Sequence, residues 1–120
     1  MGQLFQLRRF DVFRFQTILD VGSGAGRIIR HLLKASDGHA RIISFDLSAE
    51  MLRRARERLH SDRPCFVAAD MIRMLFRDDS FDCITCGHVL EHLPNPLPGL
   101  EEFARVLKPG GSVLLLTSQT

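Results

Sequence analysis

Short apolar segments alternate with longer helical patterns along most of this chain, and this alternation constrains the fold more than any other feature. Five segments have the length and composition of strands: TILDV (17–21), RIISF (41–45), CFVAA (65–69), FDCITC (81–86) and SVLLLT (112–117). Between them, apolar residues recur at helical spacing from Ala25 to about Ala35, from Ser48 to about Leu59 and from Pro98 to Leu107. Strands alternating with helices are typical of βαβ units, so the sequence predicts an α/β fold with a mostly parallel sheet.

Local signals predict how some of these elements begin and end. The Ser48 hydroxyl is expected to cap the second helix, and residues 108–111, Lys-Pro-Gly-Gly, predict a turn before the last strand. In residues 1–16, Leu4, Leu7 and later apolar residues recur every third position. This spacing predicts a helix, whereas Phe13 and Phe15 suit an extended chain. We expect a helix, or a segment that serves as a lid.

The composition excludes several classes of protein. A chain of 120 residues with 45% hydrophobic and 25% charged residues suits one globular domain, and no apolar run approaches the roughly 20 residues of a membrane span. The first ten residues lack the apolar core and cleavage site of a secretory signal. Three cysteines are too few for a disulfide framework and suit a reducing compartment. We therefore expect a cytoplasmic protein without a membrane span.

Two reactive or charged patterns have ordinary explanations. Cys83 and Cys86 form a C-x-x-C spacing inside an apolar strand pattern, where residues three apart point to opposite faces. Inert thiols are therefore favoured over a redox or metal pair. The second helix carries four arginines near Glu50 and Glu57, which favours a solvated, ion-paired face over a nucleic-acid surface.

Residues 20–26, Asp-Val-Gly-Ser-Gly-Ala-Gly, lie where the first strand turns into the first helix. Three glycines at alternate positions let a ligand lie against bare backbone, with its anionic end at the free N–H groups of the helix start. A tight turn alone needs only one glycine. The spacing differs from the G-x-G-x-x-G of dinucleotide-binding domains, and the acid before the first glycine favours a ligand with a cationic group.

Two further acids follow predicted strands. Asp46 ends the second strand, 20 residues after Gly26, and Asp70 ends the third. A carboxylate at the carboxyl end of a parallel strand faces the ligand crevice and can accept both hydroxyls of a ribose. Helix capping is the alternative for Asp46. Together with Asp20, these acids predict a site for a ribosylated ligand with a base amino group.

The sequence resembles the class I S-adenosylmethionine-dependent methyltransferases from about Thr17 to Thr117. The similar segments, whose order and separations make the resemblance specific, are ILDVGSGAGRIIRHL, FDLSAEML, Asp70-Met71, DDSFDCIT, HVLEHLPNP and RVLKPGG. The resemblance implies a doubly wound, Rossmann-like sheet with strand order 3-2-1-4-5 and helices on both faces. It also implies S-adenosylmethionine as the cofactor and methyl transfer to a small-molecule acceptor, in the subgroup that acts on small molecules and on quinone or lipid precursors.

The resemblance also divides the cofactor-binding residues among the parts of the cofactor. The methionine part would meet Gly22, Gly24 and the backbone at Cys86 and Gly87, the ribose would meet Asp46, and the adenine would meet Leu47, Asp70 and Met71. Ser23 and Gly26, in the same glycine loop, are also expected to bind the cofactor. Asp20 would help to hold the ammonium group. Asp70 would accept a hydrogen bond from the adenine amino group.

Methyl transfer from a sulfonium mainly requires alignment and exclusion of water, so no obligatory catalytic side chain is expected. His88 is the best-placed base for a phenol or hydroxyl acceptor, with packing or substrate contact as the alternative. His88, Glu91 and His92 also resemble a metal site of some family members, but His88 replaces the first acid there. A capping or solvent-facing role is favoured and no metal is expected. The segment CGHV after the fourth strand lacks the N-P-P-Y type motif, which argues against a nucleic-acid substrate.

Family members continue beyond the fifth strand with a helix and an antiparallel pair of strands. The expected organisation is therefore the segment 1–16 followed by a core, residues 17–120, that is truncated after the fifth strand. An exposed edge at that strand predicts a homodimer. One alternative is a catalytically incomplete module that binds the cofactor or a partner. A nicotinamide-dependent oxidoreductase fits least, because a pyrophosphate would lie beside Asp20.

Overall fold

A computed structural model describes residues 11–22, 26–87 and 89–116 of the chain. In chain order its elements are β1 (Thr17–Val21), α1 (Arg27–Ala35), β2 (Arg41–Asp46), α2 (Ala49–Leu59), β3 (Pro64–Ala68), β4 (Phe81–Gly87), a 3-10 helix (Leu90–His92), α3 (Leu97–Val106) and β5 (Leu107–Leu116). All strand pairs are parallel, and the order in the sheet is β3-β2-β1-β4-β5. The α/β class and the strand order are confirmed. None of the helices in the described ranges is long and apolar enough to cross a membrane.

Two apolar clusters cover the two faces of the sheet, because successive residues of a strand point to opposite sides. Ile18 of β1 packs in one cluster with Ile29 of α1, and Leu59 of α2 lies beside it. Leu19 of β1 packs in the other cluster with Phe103 of α3. Burying an aliphatic side chain of this size contributes about 1.5–3 kcal/mol. Helices therefore lie on both faces, as predicted.

The predicted cap of α2 is confirmed. The Ser48 hydroxyl accepts a hydrogen bond from the Met51 N–H at 3.2 Å. At its far end the helix stops at His60, which has a left-handed φ of 49°. Between these ends, Ala55 packs against Gly26, the residue that precedes α1. This close contact places Gly26 directly beside α2.

Residues 11–16 are not helical, and here the helix prediction is wrong. They form a turn in which Val12 and Phe15 are buried in the first cluster, whereas Phe13 is 61% exposed. The burial of two residues spaced by three comes from contacts with the sheet and α1 rather than from helical geometry. The rest of the predicted helix or lid, residues 1–10, lies outside the described residues.

The predicted turn at residues 108–111 lies within β5 instead of before it. The pairing of β4 with β5 shifts from Phe81 opposite Leu107 to Cys83 opposite Ser112. Four residues, 108–111, therefore stand opposite the single residue 82, and Gly110 adopts a φ of 80°. The strand begins directly after α3 because Leu107 already pairs with β4. The turn-forming residues make a large bulge rather than a separate loop.

Candidate functional site

A cavity of about 330 Å³ opens at the carboxyl ends of β1, β2, β3 and β4. Its volume falls within the range of small-molecule sites. Six of the predicted cofactor-binding residues form part of its wall: Gly22, Asp46, Leu47, Asp70, Met71 and Gly87. The fold therefore brings together residues that lie as many as 65 positions apart in the sequence.

Gly22 directly follows β1 and lies beside the end of β4. Its φ is 77°, and a Cβ atom there would lie 2.0 Å from Cγ2 of Val89 and 3.2 Å from the carbonyl oxygen of Gly87. Its N–H donates to the carbonyl of Phe45 at 2.8 Å. Both the backbone conformation and the space require glycine, so bare backbone forms this part of the cavity wall.

Asp46 lines the cavity and forms a local turn, whereas the helix cap that the sequence offered as its alternative role is supplied by Ser48. The Oδ1 atom of Asp46 accepts a hydrogen bond from the Ser48 N–H at 2.9 Å, which closes a turn before α2, and the same residue lines the cavity. A carboxylate can accept several hydrogen bonds, so the turn and a bound ligand are compatible.

The adenine side predicted from the sequence combines an acid with apolar side chains. Asp70 is exposed, and its Oδ1 accepts from the Ile72 N–H at 3.1 Å. Met71 is only 5% exposed, whereas Leu47 is 74% exposed at the cavity rim. A ligand that covered Leu47 would remove apolar surface from water.

Three predicted residues, Asp20, Gly26 and Cys86, are not among the described residues that line the cavity. Asp20 is fully buried, and its Oδ1 accepts a hydrogen bond from the Thr85 hydroxyl at 2.8 Å. Cys86 is buried beside it, and Gly26 packs against α2. Their contacts with a cofactor stay predictions. Ser23 and Gly24 lie outside the described residues.

A family model described as a methyltransferase domain matches residues 19–115. The chain belongs to the class I S-adenosylmethionine-dependent methyltransferase family. The demethylmenaquinone methyltransferase of Clavibacter sepedonicus is 40% identical over 106 residues, covering 88% of this chain and 42% of that protein. The ubiquinone/menaquinone biosynthesis C-methyltransferase UbiE of Ruegeria sp. is 34% identical over 106 residues, covering 84% and 42%.

Solved structures agree with this assignment. The methyltransferase of Haloferax volcanii, in complex with the Trm112 methyltransferase activator, has a TM-score of 0.86 and is 32% identical, over 95% of this chain and 50% of that one. The position of the cavity is the one expected for this fold, because open α/β sheets bind ligands beyond the carboxyl ends of their strands. The chain spans 42% of the length of each of the two curated relatives described above.

The histidine residues of this methyltransferase domain are only partly described. His92, on the 3-10 helix, is exposed and lines the cavity. His88 lies outside the described residues, so its predicted role as a base is not tested. Within the described part of the chain, no three His, Cys, Asp or Glu side chains are grouped to hold a metal ion.

Sequence reasoning missed several residues of the cavity wall, namely Val21, Phe45, Met51, Ala69, Val89 and Leu93. Three of them directly precede a predicted site residue at a strand end, so their position in the sequence was a usable signal. Val89 follows the end of β4 by two residues, Met51 follows β2 by five, and Leu93 follows β4 by six. Only the tertiary packing brings these three to the cavity.

The structure supports the ordinary explanations of the C-x-x-C spacing and of the arginine-rich helix α2. Burial raises the pKa of the Cys83 and Cys86 thiols to about 12, so both are protonated at neutral pH. On α2, Arg53 pairs with Glu57 at 2.7 Å and also with Glu50, and all three side chains are exposed. This is the solvated, ion-paired face that the sequence predicts.

Proposed function

We propose that this chain binds S-adenosylmethionine in the cavity at the carboxyl edge of the sheet and transfers its methyl group to a small-molecule acceptor. The observation that carries the proposal is the convergence of predicted residues from the ends of four strands on one cavity. Their chemistry fits the cofactor, since carboxylates stand at two strand ends, apolar side chains lie between them and glycine backbone lies at the ends of β1 and β4.

The nucleoside part of the cofactor would lie along the ends of β2 and β3. The Asp46 carboxylate would accept hydrogen bonds from the ribose hydroxyls. Leu47 and Met71 would cover the adenine, and Asp70 would accept from its amino group. Hydrogen bonds to a charged group typically contribute about 1.5–3 kcal/mol, so Asp46, which would accept from both ribose hydroxyls, is expected to contribute more than Asp70 to binding of the nucleoside.

The reactive part would lie at the ends of β1 and β4, where Gly22 and Gly87 let the backbone come close. When bound, S-adenosylmethionine supplies an electrophilic methyl group on a sulfonium sulfur. The chain's own residues contribute alignment and a dry wall, because Val21, Val89 and Leu93 keep water from the reacting atoms. This accounts for a site in which no side chain has to form a covalent bond.

For the acceptor we propose a hydroquinone ring carbon, because the two relatives are named for the methylation of menaquinone and ubiquinone precursors. The carbon would form its bond to the methyl group as the carbon–sulfur bond breaks, and a proton would leave the ring. His92, in the cavity wall, carries an imidazole, the side chain that most often serves as a general base. The predicted base His88 would share or replace this role.

Calorimetric titration with S-adenosylmethionine, S-adenosylhomocysteine and NAD tests the cofactor. We expect micromolar binding of the first two and no binding of NAD. A folded chain that binds neither sulfur compound would overturn the proposal. Methyl transfer is then tested with a radiolabelled cofactor methyl group and a short-chain demethylated naphthoquinol.

A second candidate function is a cofactor-binding module that works with a partner. It is favoured by β5, whose outer edge has no paired strand among the described residues, and by the neighbour solved with an activator protein. The proposed homodimer would use the same edge. Cofactor binding without methyl transfer, together with a defined dimer in analytical ultracentrifugation, would favour this second function.

A further inference from the structure

Residues 69–80 connect β3 to β4 and carry two of the predicted adenine contacts, Asp70 and Met71. This connection contains neither a helix nor a strand. An irregular segment of this length has no hydrogen-bond ladder of its own, and ordering it costs conformational entropy. Contacts with the rest of the fold must therefore hold Asp70 and Met71 in the cavity wall.

Arg105, in the last turn of α3, supplies three such contacts. Its guanidinium donates to the carbonyl oxygens of Met74 at 2.8 Å and Phe76 at 2.7 Å, and to Oδ1 of Asp78 at 2.9 Å. A planar guanidinium with five donors can bind several acceptors at fixed angles, which lysine cannot reproduce. One side chain therefore holds three positions within five residues of the connection.

Glu102, one turn earlier on α3, completes the attachment. Its Oε2 accepts from Nε of Arg105 at 2.7 Å, and its Oε1 accepts from the Met74 N–H at 2.7 Å. Both backbone groups of Met74 are thus bound to α3. The hydrogen bond from Arg105 lowers the pKa of Glu102, so the pair stays charged at neutral pH.

The beginning of α3 contacts the same connection. A Cβ atom on Gly99 would lie 2.9 Å from Cε of Met71, so the helix and this cavity residue are in direct contact. At the other end, the Ser80 N–H donates to the carbonyl of Val106 at 2.7 Å. The connection is therefore attached along the whole length of α3, with Arg105 making the largest number of hydrogen bonds to it.

We propose that Arg105 is a positioning residue for the adenine side of the cavity, acting through the connection that presents Asp70 and Met71. This inference rests on the proposed function, because it assumes that the adenine binds there. Loss of the guanidinium removes three hydrogen bonds from the connection, so Asp70 and Met71 are held less firmly in one arrangement and the ligand must order them on binding.

Arg63 offers a matched control. Its guanidinium donates to the carbonyl of Leu33 at 2.9 Å, to the Ser36 hydroxyl at 2.9 Å and to the carbonyl of Asp37. It ties the end of α1 to the segment before β3, at the opposite edge of the sheet from the cavity. Removing either arginine should destabilise the fold, but only Arg105 should affect the ligand.

The test compares Arg105→Gln with Arg63→Gln by urea unfolding and by calorimetric titration with S-adenosylhomocysteine and with adenosine. We expect Arg105→Gln to weaken both ligands by about tenfold or more, and Arg63→Gln to change either by less than about twofold. Equal weakening by the two variants, or wild-type affinity in Arg105→Gln, would overturn the inference. Wild-type protein that binds neither ligand would instead contradict the proposed function.

Hydrogen exchange gives a readout that does not depend on the ligand. In Arg105→Gln the amides of residues 70–80, and Met74 above all, should exchange faster, while those of β1 and β2 keep their protection. Glu102→Gln, which retains an acceptor for the Met74 N–H, should show a smaller change in both exchange and affinity. Unchanged exchange in residues 70–80 of Arg105→Gln would also overturn the inference.

Discussion

Aspartate side chains have different roles at the two ends of the parallel strands, here called the amino-terminal edge and the carboxyl edge of the sheet. At the amino-terminal edge, Asp82 at the start of β4 accepts from the backbone N–H groups of Gln16 at 2.9 Å and Thr17 at 3.0 Å. At the carboxyl edge, Asp46 and Asp70 accept from N–H groups only two residues ahead, at 2.9 and 3.1 Å, and line the cavity. A carboxylate bound across more than 60 residues ties the fold together, whereas one in a local turn still presents oxygen atoms to a ligand.

The difference follows from the geometry of parallel strands. At the amino-terminal edge, the incoming segment before β1 crosses beside the start of β4, so Asp82 meets backbone donors from a distant part of the chain. At the carboxyl edge, the connections turn away from the sheet and leave a crevice. The same residue type is therefore structural at one edge and, in our proposal, binds ligand at the other.

Raising the pH should destabilise the whole sheet, including both edges, and this is the largest expected effect on stability. Cys83 and Cys86 lie in β4 between the edges, and burial raises the pKa of each thiol from 9.0 to about 12. As the pH rises, the thiols ionise in the unfolded chain at a lower pH than in the folded chain. Their contribution to the free energy of unfolding is therefore fully present below pH 9 and is lost between pH 9 and 12, by up to about 4 kcal/mol per thiol. Urea unfolding at a series of pH values measures this. A Cys83→Ala/Cys86→Ala variant should lose this part of the pH dependence.

Gly22→Ala should damage the carboxyl edge alone. Its left-handed φ and the 2.0 Å approach of the new Cβ to Val89 should lower the free energy of unfolding by about 2–3 kcal/mol. We also expect binding of S-adenosylhomocysteine to be lost, as measured by calorimetry. Gly38→Ala is the control, because a Cβ there meets nothing within 4 Å. Wild-type affinity in Gly22→Ala would contradict the placement of the cofactor.

Asp82→Ala should damage the amino-terminal edge alone. It leaves the N–H groups of Gln16 and Thr17 without their carboxylate acceptor, which should lower the free energy of unfolding by roughly 2 kcal/mol. Cofactor affinity below the unfolding transition should stay at the wild-type value. Chemical denaturation and calorimetry measure the two quantities, and a large loss of affinity would show that the edges are coupled.

Asp46→Ala should have the smallest effect on stability, below about 1 kcal/mol, but should weaken cofactor binding by about 1–3 kcal/mol. Asp37→Ala is a matched control, since Asp37 accepts from the His39 N–H at 2.9 Å in the same kind of turn but away from the cavity. Both variants lose one turn bond, so any difference in affinity reports on the ligand. Equal affinities would refute the ribose placement.

Most of the fold could be predicted from the sequence because its elements depend on neighbouring residues. Apolar periodicity placed β1 at its observed bounds and the other strands, apart from β5, within about one residue. The Ser48 cap was predictable for the same reason, since its partner is three residues away. The helix predicted through residues 11–16 failed because Val12 and Phe15 are placed by the sheet.

The sequence by itself determined the alternating elements, the glycine loop and the acids at the strand ends, because each depends on residues a few positions apart. Only the tertiary structure decided that Asp20 is buried and accepts a hydrogen bond from Thr85, and that Arg105 reaches Met74 from α3. These partners lie 65 and 31 residues apart in the chain. Such contacts follow from strand order, register and helix packing, which no local pattern of residues specifies.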